Sequence, residues 1–537
     1  MQHRFEIFLI LLAVLAGAAL LARRLNIAPA VMLLMTGIGL ALVPGLPRLE
    51  LEPEIVLLIV LPPLIYSASV AMSWREFRLH LRPIALLAIG CVIFTAAAVA
   101  TVIHYFGGLP WSLGFLLGAI VAPPDAVAPL AIARRLKLPR RVLVVLEGEG
   151  LVNDATALIM YRFAIAAVAT GMFSLRMAAS EFVLIVIGEI AYGLFVGWAS
   201  LLIRNRARDP QAEITLSLIT PYLAYWLPEH LGGSGVLATV VCGLYISWNG
   251  PLLISAATRL QGIFFWDLVI YLIEGLLFLL TGAQLRLLIE KSKDFELSRV
   301  AAATLLVAAT IVLARFVWVF SRLYLGWLAC VVLQFLRIPI ALPPLPPWRY
   351  TFVVAFTGVR GAVSLAAALA LPLTVASGDG FPYRDVMLFV AFGVILITLL
   401  GLGLTLPFVV KALGIVNVGH EEHREEYEAE IAARRGLLAA TRASIDEMAK
   451  TRQLPEDIVD ILCARHMVRS SQVPGGEDGD KTTMTDESAQ LVRELIVDER
   501  RYIHKLLREG QITDEARRRI ERDLDLEEAV LSNLGYG

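Results

Sequence analysis

From Phe5 to about residue 413, long apolar runs alternate with short polar breaks; beyond that point the pattern stops. A helix crossing a hydrocarbon core about 30 Å thick needs about 20 mostly apolar residues. The runs predict thirteen such spans, starting near Phe5, Pro29, Glu54, Pro83, Trp111, Val142, Glu181, Ile214, Gly235, Phe264, Val300, Tyr350 and Val386. The first, Phe5 to Ala22, reads as a retained span and not as a signal peptide. Its leading region pairs Glu6 with Arg4, and Arg23 and Arg24 follow the run instead of preceding it.

Two spans are interrupted. The fifth contains Val121-Ala122-Pro123-Pro124-Asp125-Ala126, and the twelfth Thr357-Gly358-Val359-Arg360-Gly361-Ala362. Adjacent prolines remove helical hydrogen bonds, and broken backbone at membrane depth is tolerated only where it is buried in protein or lines a cavity. If spans one to six and eight to thirteen are repeats, the fifth and twelfth correspond. Six spans plus an odd linker span would turn the second repeat over relative to the first. Paired broken helices in matching halves point to a transporter site.

The polar breaks give an orientation. With the N-terminus outside, the inside loops carry Arg23 and Arg24; Arg75, Arg78 and Arg82; Arg134, Arg135, Lys137, Arg140 and Arg141; then Arg204, Arg206 and Arg208. The outside loops at Gly107–Pro110 and Pro228–Gly235 carry neither Lys nor Arg. This follows the positive-inside rule and places the tail in the cytoplasm. The loop with Arg286, Lys291 and Lys293 runs against it.

The densest polar chemistry lies inside the sixth span, in Leu146-Glu147-Gly148-Glu149-Gly150-Leu151-Val152-Asn153-Asp154. An acid at bilayer depth costs roughly 2.5–3.5 kcal/mol on insertion scales, so three of them imply an ion or proton pathway. Glu147 and Asp154 share a helix face two turns apart, and Glu149 points elsewhere. Asp154 lies about 18 Å from the start of the span, near mid-membrane.

Composition agrees: 58% of the 537 residues are hydrophobic, and mean hydropathy is +0.71. A net charge of −1 gives no reason to expect nucleic acid. Cys91, Cys242, Cys330 and Cys463 are too scattered for a metal or redox motif, and no histidine lies deep in an apolar run. No phosphate-binding loop appears, so ATP is not expected to drive the protein. After about Ile415 the chain reads as a small helical tail. Charged or amphipathic helices are expected at 421–450, 454–467, 489–508 and 513–531, with a flexible linker at 473–488.

Pro-Pro-Asp-Ala-Val-Ala, Glu-Gly-Glu-Gly-Leu-Val-Asn-Asp and Gly-Val-Arg-Gly-Ala-Val, in that order, resemble bacterial sodium/proton antiporters of the monovalent cation:proton antiporter-1 type, relatives of the animal sodium/proton exchangers. The resemblance covers roughly residues 5–413. It implies an all-α polytopic fold with inverted six-helix repeats, crossed broken helices and a homodimer in the cytoplasmic (inner) membrane. Residues 1–413 would form the antiporter domain and 414–537 the cytoplasmic tail. Spans one to three and eight to ten would be the dimer scaffold; four to six and eleven to thirteen would be the moving ion core. Exchange would be electroneutral and one for one, serving sodium transport and pH homeostasis, with no cofactor.

Matched position by position, the resemblance gives Asp154 as the cation ligand and proton acceptor, Asn153 as its amide neighbour and Asp125 as the acid of the broken fifth span. It gives Glu149 and Arg315 as an ion pair, and Arg360 as the arginine of the crossover. Glu147 and Glu274 are candidate pathway acids. Relatives often carry Thr where this chain has Pro124, Ser where it has Gly150, and commonly Asn where it has Glu274. Two hydroxyls are therefore missing around the expected site, which leaves sodium, lithium and potassium all open.

Bottom-up chemistry supports the same reading. A hard cation wants oxygen ligands, and Asp154, Asp125 and carbonyls freed by the Pro123-Pro124 break offer them. Proton and cation would compete for the same oxygens. A cation channel is the alternative. An intramembrane aspartyl hydrolase would also need two buried aspartates, but the Gly-x-Gly-Asp pattern is absent and both arginines would lack a role. Depth along the helices puts Glu149 and Arg315 level with each other. Arg360 is expected to bind the carbonyl ends at the helix breaks, with Asp125 as a further partner.

Overall fold

The computed structural model describes residues 2–25, 27–44, 51–171, 174–207, 209–254, 256–291, 296–335, 347–374, 380–452 and 455–471, with isolated positions 496, 497, 499, 524 and 526. The expected linker at 473–488 lies outside them, and so do the two last tail helices apart from those positions. Contacts divide the chain into a unit of residues 1–420 and a unit of residues 421–537.

In the first unit the apolar runs are helices: α1 Gln2–Leu25, α2 Pro29–Leu42, α3 Pro53–Ala71, α4 Leu81–Gly107, α5 Trp111–Val121, α6 Val127–Arg135, α7 Arg140–Thr170, α8 Leu175–Ala207, α9 Pro210–His230, α10 Val236–Leu253, α11 Ala256–Ala283, α12 Leu297–Phe335, α13 Trp348–Phe356, α14 Ala362–Leu369 and α15 Arg384–Ala412. Among the described residues, eight helical stretches are long and apolar enough to cross a membrane. Proline opens α2, α3 and α9, where its missing N–H has no helical partner to lose. The chain breaks between α5 and α6 and between α13 and α14, at the stretches where the sequence carries Pro-Pro-Asp and Gly-Val-Arg-Gly.

Burial differs between helices. In α7 and α15 56% of the apolar window is buried, against 22% in α1 and α8. Leu184, Ile187, Phe195 and Trp198 of α8 are exposed, as on a helix facing hydrocarbon instead of water. The largest apolar cluster gathers α4, α5, α7, α12, α14 and α15 through residues such as Val99, Leu116, Ile311, Leu365 and Ile395, so the interrupted helices sit in the most tightly enclosed part of the unit. Cys91 and Cys242 are buried free thiols.

The second unit holds the rest of a helix that runs Ile415–Arg452, followed by a helix Glu456–Ser471. A bond between His466 Nε2 and the Leu438 carbonyl (2.9 Å) ties the two.

Candidate ion site at the helix crossing

Helix α5 stops at Val121 because Pro123 and Pro124 have no N–H to continue it. Asp125 then restarts the chain: its Oδ1 accepts a hydrogen bond from the Val127 N–H (2.8 Å), satisfying a donor at the head of α6. Helix α13 stops at Phe356, and α14 begins only after Gly361. The two breaks touch. The Asp125 N–H donates to the Val359 carbonyl at 2.7 Å. Gly361 lies so close to the Asp125 carboxylate that a Cβ there would overlap it, which explains why this position is glycine.

Arg360 fills the crossing and is 1% exposed. Its Nε donates to the Val121 carbonyl (2.8 Å), Nη2 to the Ala122 carbonyl (3.1 Å) and Nη1 to the Gly358 carbonyl. Val121 and Ala122 carry orphan carbonyls at the end of α5, where a helix has partial negative charge. The Arg360 N–H is held by Thr398 Oγ1 of α15 at 3.1 Å. Asp125 is not a partner: among the described residues Arg360 forms no ion pair, because its guanidinium is committed to carbonyls and the Asp125 carboxylate to Val127. That part of the sequence expectation is corrected.

Helix α7 brings its acids to three different environments. Glu149, 2% exposed, makes a two-pronged pair with Arg315: Nη1 donates to Oε1 (2.5 Å) and Nη2 to Oε2 (2.7 Å). Arg315 also donates to the Val354 carbonyl near the end of α13 through Nε (3.1 Å) and Nη2 (3.0 Å). Glu147 pairs with Arg134 at 2.7 Å, with the arginine side chain 59% exposed, so this pair lies at an open edge. Among the described residues Asp154 has neither kind of partner. It lines a cavity of about 10 Å³ between α5, α7 and α14, close to the smallest that holds one water.

Asn153 is fully buried and donates through Nδ2 to the Pro124 carbonyl (2.5 Å), so it takes up one carbonyl that the break releases. Its Oδ1 is buried without a partner. Gly150 is there for space. A Cβ on it would come within 2.6 Å of the Ala126 Cβ, so α7 can approach the fifth-span break only without a side chain at that position. Asp125 lies within electrostatic reach of Asp154. Glu274 of α11 lies within reach of Asp125 and Arg134. Among the described residues no three His, Cys, Asp or Glu side chains form a metal-holding group.

Some polar residues escaped the sequence reading. Glu189, in the apolar run of α8, is 3% exposed and accepts from the N–H groups of Ser234, Gly235, Leu237 and Ala238, so it caps α10 from another helix. Arg162, two turns past Asp154, pairs with Glu229 of α9. The available signals were a lone acid in an apolar run opposite a Gly-Gly-Ser-Gly turn, and a base in the apolar second half of α7. Thr398 was one hydroxyl in a long apolar helix, and nothing in the sequence linked it to Arg360.

Comparisons with known proteins give the family and the fold. The family model "Sodium/hydrogen exchanger, transmembrane" matches residues 10–412. A Mycobacterium tuberculosis protein named as an uncharacterised Na+/H+ exchanger is 35% identical over 97% of this chain and 95% of its own length. The low-affinity Na+/H+ antiporter NhaS1 of Synechocystis is 30% identical over 85% of this chain and 82% of its own. A sodium, potassium, lithium and rubidium/H+ antiporter of Bacillus pumilus is 32% identical over 75% of this chain and 61% of its own. In fold, the sodium/proton antiporter MjNhaP1 of Methanocaldococcus jannaschii superposes with a TM-score of 0.61 at 19% identity, covering 78% of this chain and 99% of that one. The chain belongs to the transmembrane sodium/hydrogen exchanger family: it is a multi-pass membrane transporter that exchanges cations for protons, and not an enzyme.

Proposed function

We propose that this protein exchanges one monovalent cation for one proton by alternating access, with Asp154 as the group that binds either. The observation that carries this reading is the contrast within α7: Glu149 and Glu147 are neutralised by arginines, while Asp154 faces a cavity unpaired. Asp125, Asn153 and the Pro124 carbonyl complete the polar surroundings.

Charge counting supports the stoichiometry. With both acids ionised, Asp125, Asp154 and Arg360 sum to −1; one proton or one monovalent cation brings the group to zero. The pairs Glu149–Arg315 and Glu147–Arg134 already sum to zero. A crossing that moves only when this three-charge group is neutral then exchanges one for one, because carrying net charge into hydrocarbon is costly; Arg162 of α7 lies outside the count, its charge met by Glu229 of α9. In this reading spans four to six and eleven to thirteen move against a scaffold of spans one to three and eight to ten. Glu274 belongs to the scaffold, so its charge stays behind. It stands on the pathway as an attracting acid.

Thirteen spans, a homodimer through the exposed scaffold helices, an outside N-terminus, a cytoplasmic tail and residence in the inner membrane belong to the same proposal. Sodium, lithium and potassium are the candidate cations, and the Bacillus relative named for four alkali cations keeps potassium among them.

The test is the full chain in proteoliposomes with an internal pH dye. Adding Na+, Li+ or K+ outside should drive protons out with no membrane potential applied, and lowering the pH should raise the cation concentration needed for half-maximal rate. Proton movement that follows the membrane potential and needs no counter-cation gradient would establish a channel instead.

A further inference from the structure

The cavity beside Asp154 is lined by ten residues, of which only Asp154, Tyr161 and Ser364 carry side-chain oxygen; the others, among them Ile120, Pro123 and Val363, are apolar. Both hydroxyls are unspent. Tyr161 is 8% exposed and its Oη is buried with no hydrogen-bond partner. Ser364 is 3% exposed, and its hydroxyl makes no hydrogen bond to any described residue.

Several buried hydroxyls in other helices bond back one turn: Ser69 to Ile65, Thr281 to Leu277, Thr304 to Val300, Thr398 to Val394. Ser364 is the third residue of α14, so the carbonyl one turn back belongs to Arg360, in the non-helical break. The break therefore frees the Ser364 hydroxyl for the cavity. Tyr161 lies two turns beyond Asp154 on the same helix. Side chains on a helix lean toward its N-terminus, so its ring reaches back toward the level of the acid. On the other side Pro124 and Gly150 carry no polar side-chain atom.

Buried polar groups are almost always satisfied, so the unpartnered Tyr161 hydroxyl, with the Ser364 hydroxyl on the same cavity as the Asp154 carboxylate, calls for a ligand that accepts oxygen donors. We propose that Ser364, with Tyr161 behind it, supplies the neutral hydroxyl oxygens of the cation site, and that these two residues set which alkali cation is taken. The proposal rests on Asp154 being the exchange site and names the ligands that complete it. Neither hydroxyl would ionise; each would turn its oxygen to a dehydrated cation and its hydrogen away, and turn back when Asp154 holds a proton.

The experiment is dye-monitored exchange in proteoliposomes at one pH, with Na+, Li+ and K+ titrated separately, on wild type, Ser364→Ala, Ser364→Thr and Tyr161→Phe. Ser364→Ala should raise half-saturating Na+ by roughly 3- to 10-fold, the effect of one lost oxygen contact, and should change the ratio between the cations. Ser364→Thr, which keeps the hydroxyl, should recover most of the affinity. Tyr161→Phe should give a smaller shift of the same kind, about 2- to 3-fold. Half-saturation and cation ratios equal to wild type in both Ser364→Ala and Tyr161→Phe would overturn the proposal. Should Ser364→Ala fail to transport, cation-dependent melting of the detergent-purified protein decides: an Na+-induced rise in melting temperature as large as wild type's also overturns it, and a weakened one supports it. Wild-type liposomes without cation-driven proton movement would sink the antiport reading itself, and this assignment with it.

Discussion

Arg315 and Arg360 are both buried, at 2% and 1% exposure, and both lie where interrupted helices meet, yet they are held in opposite ways. Arg315 is matched by a carboxylate, with Glu149 taking two of its hydrogen bonds. Among the described residues, the Arg360 guanidinium is matched by carbonyls alone, at Val121, Ala122 and Gly358. The first arrangement leaves no net charge and ties α7, α12 and α13 together. The second leaves a full positive charge at the crossing, next to two acids that have no arginine of their own. A neutral pair is a fastening, whereas an unneutralised charge is a reference against which a site can be loaded and unloaded.

The contrast can be broken in four ways. The largest effect is expected at the acid that Arg360 leaves free. Asp154→Asn should abolish cation-driven proton movement while the protein stays folded, since asparagine keeps the shape and cannot carry a proton. Wild-type exchange by a well-folded variant would sink the central claim.

Next is Arg360 itself. Arg360→Ala strands the Val121 and Ala122 carbonyls and removes the compensating charge, so exchange should fall to near background. Arg360→Lys should retain part of it, because lysine keeps the charge but not the planar fork that reaches three carbonyls. Equal rates in the alanine and lysine variants would show that charge has no part.

Arg315 should behave differently, with stability as the readout. Removing one partner of a buried pair leaves the other charge stranded, typically a loss of roughly 3–5 kcal/mol. Glu149→Ala should therefore lower melting temperature and expression, while the fraction that folds still exchanges cations. Melting at the wild-type temperature in both Glu149→Ala and Arg315→Ala would show that the pair is not a fastening. The smallest effect belongs to the open-edge pair, Arg134 with Glu147. Half-exposed ion pairs contribute about 0–1 kcal/mol, so Glu147→Gln should leave melting nearly unchanged; a large drop would place this pair with the buried one.

Much of this was legible in the chain. Apolar run lengths gave the helices, because a bilayer fixes how long a crossing element must be and the backbone must satisfy itself within it. Pro123-Pro124 and Gly358-Val359-Arg360-Gly361 marked the two breaks, because proline and glycine act on the backbone locally. The separation of Asp154 from Glu147 and Glu149 followed from helix geometry alone.

What the chain could not decide was partnership across helices. Arg360 was expected to reach Asp125 as well as carbonyls; only the folded crossing directs the guanidinium to α5 and the Asp125 carboxylate to Val127. Gly150 read as a lost hydroxyl, yet the close approach of Ala126 makes it a requirement of packing. Glu189 is one acid in an apolar run, and it caps a helix that begins 47 residues later. The Ser364 hydroxyl is free because the carbonyl one turn back lies in the break. Periodicity, length and breakers act within one segment and can be read along it. Which lone polar group meets which depends on how segments pack, and tertiary structure alone fixes that.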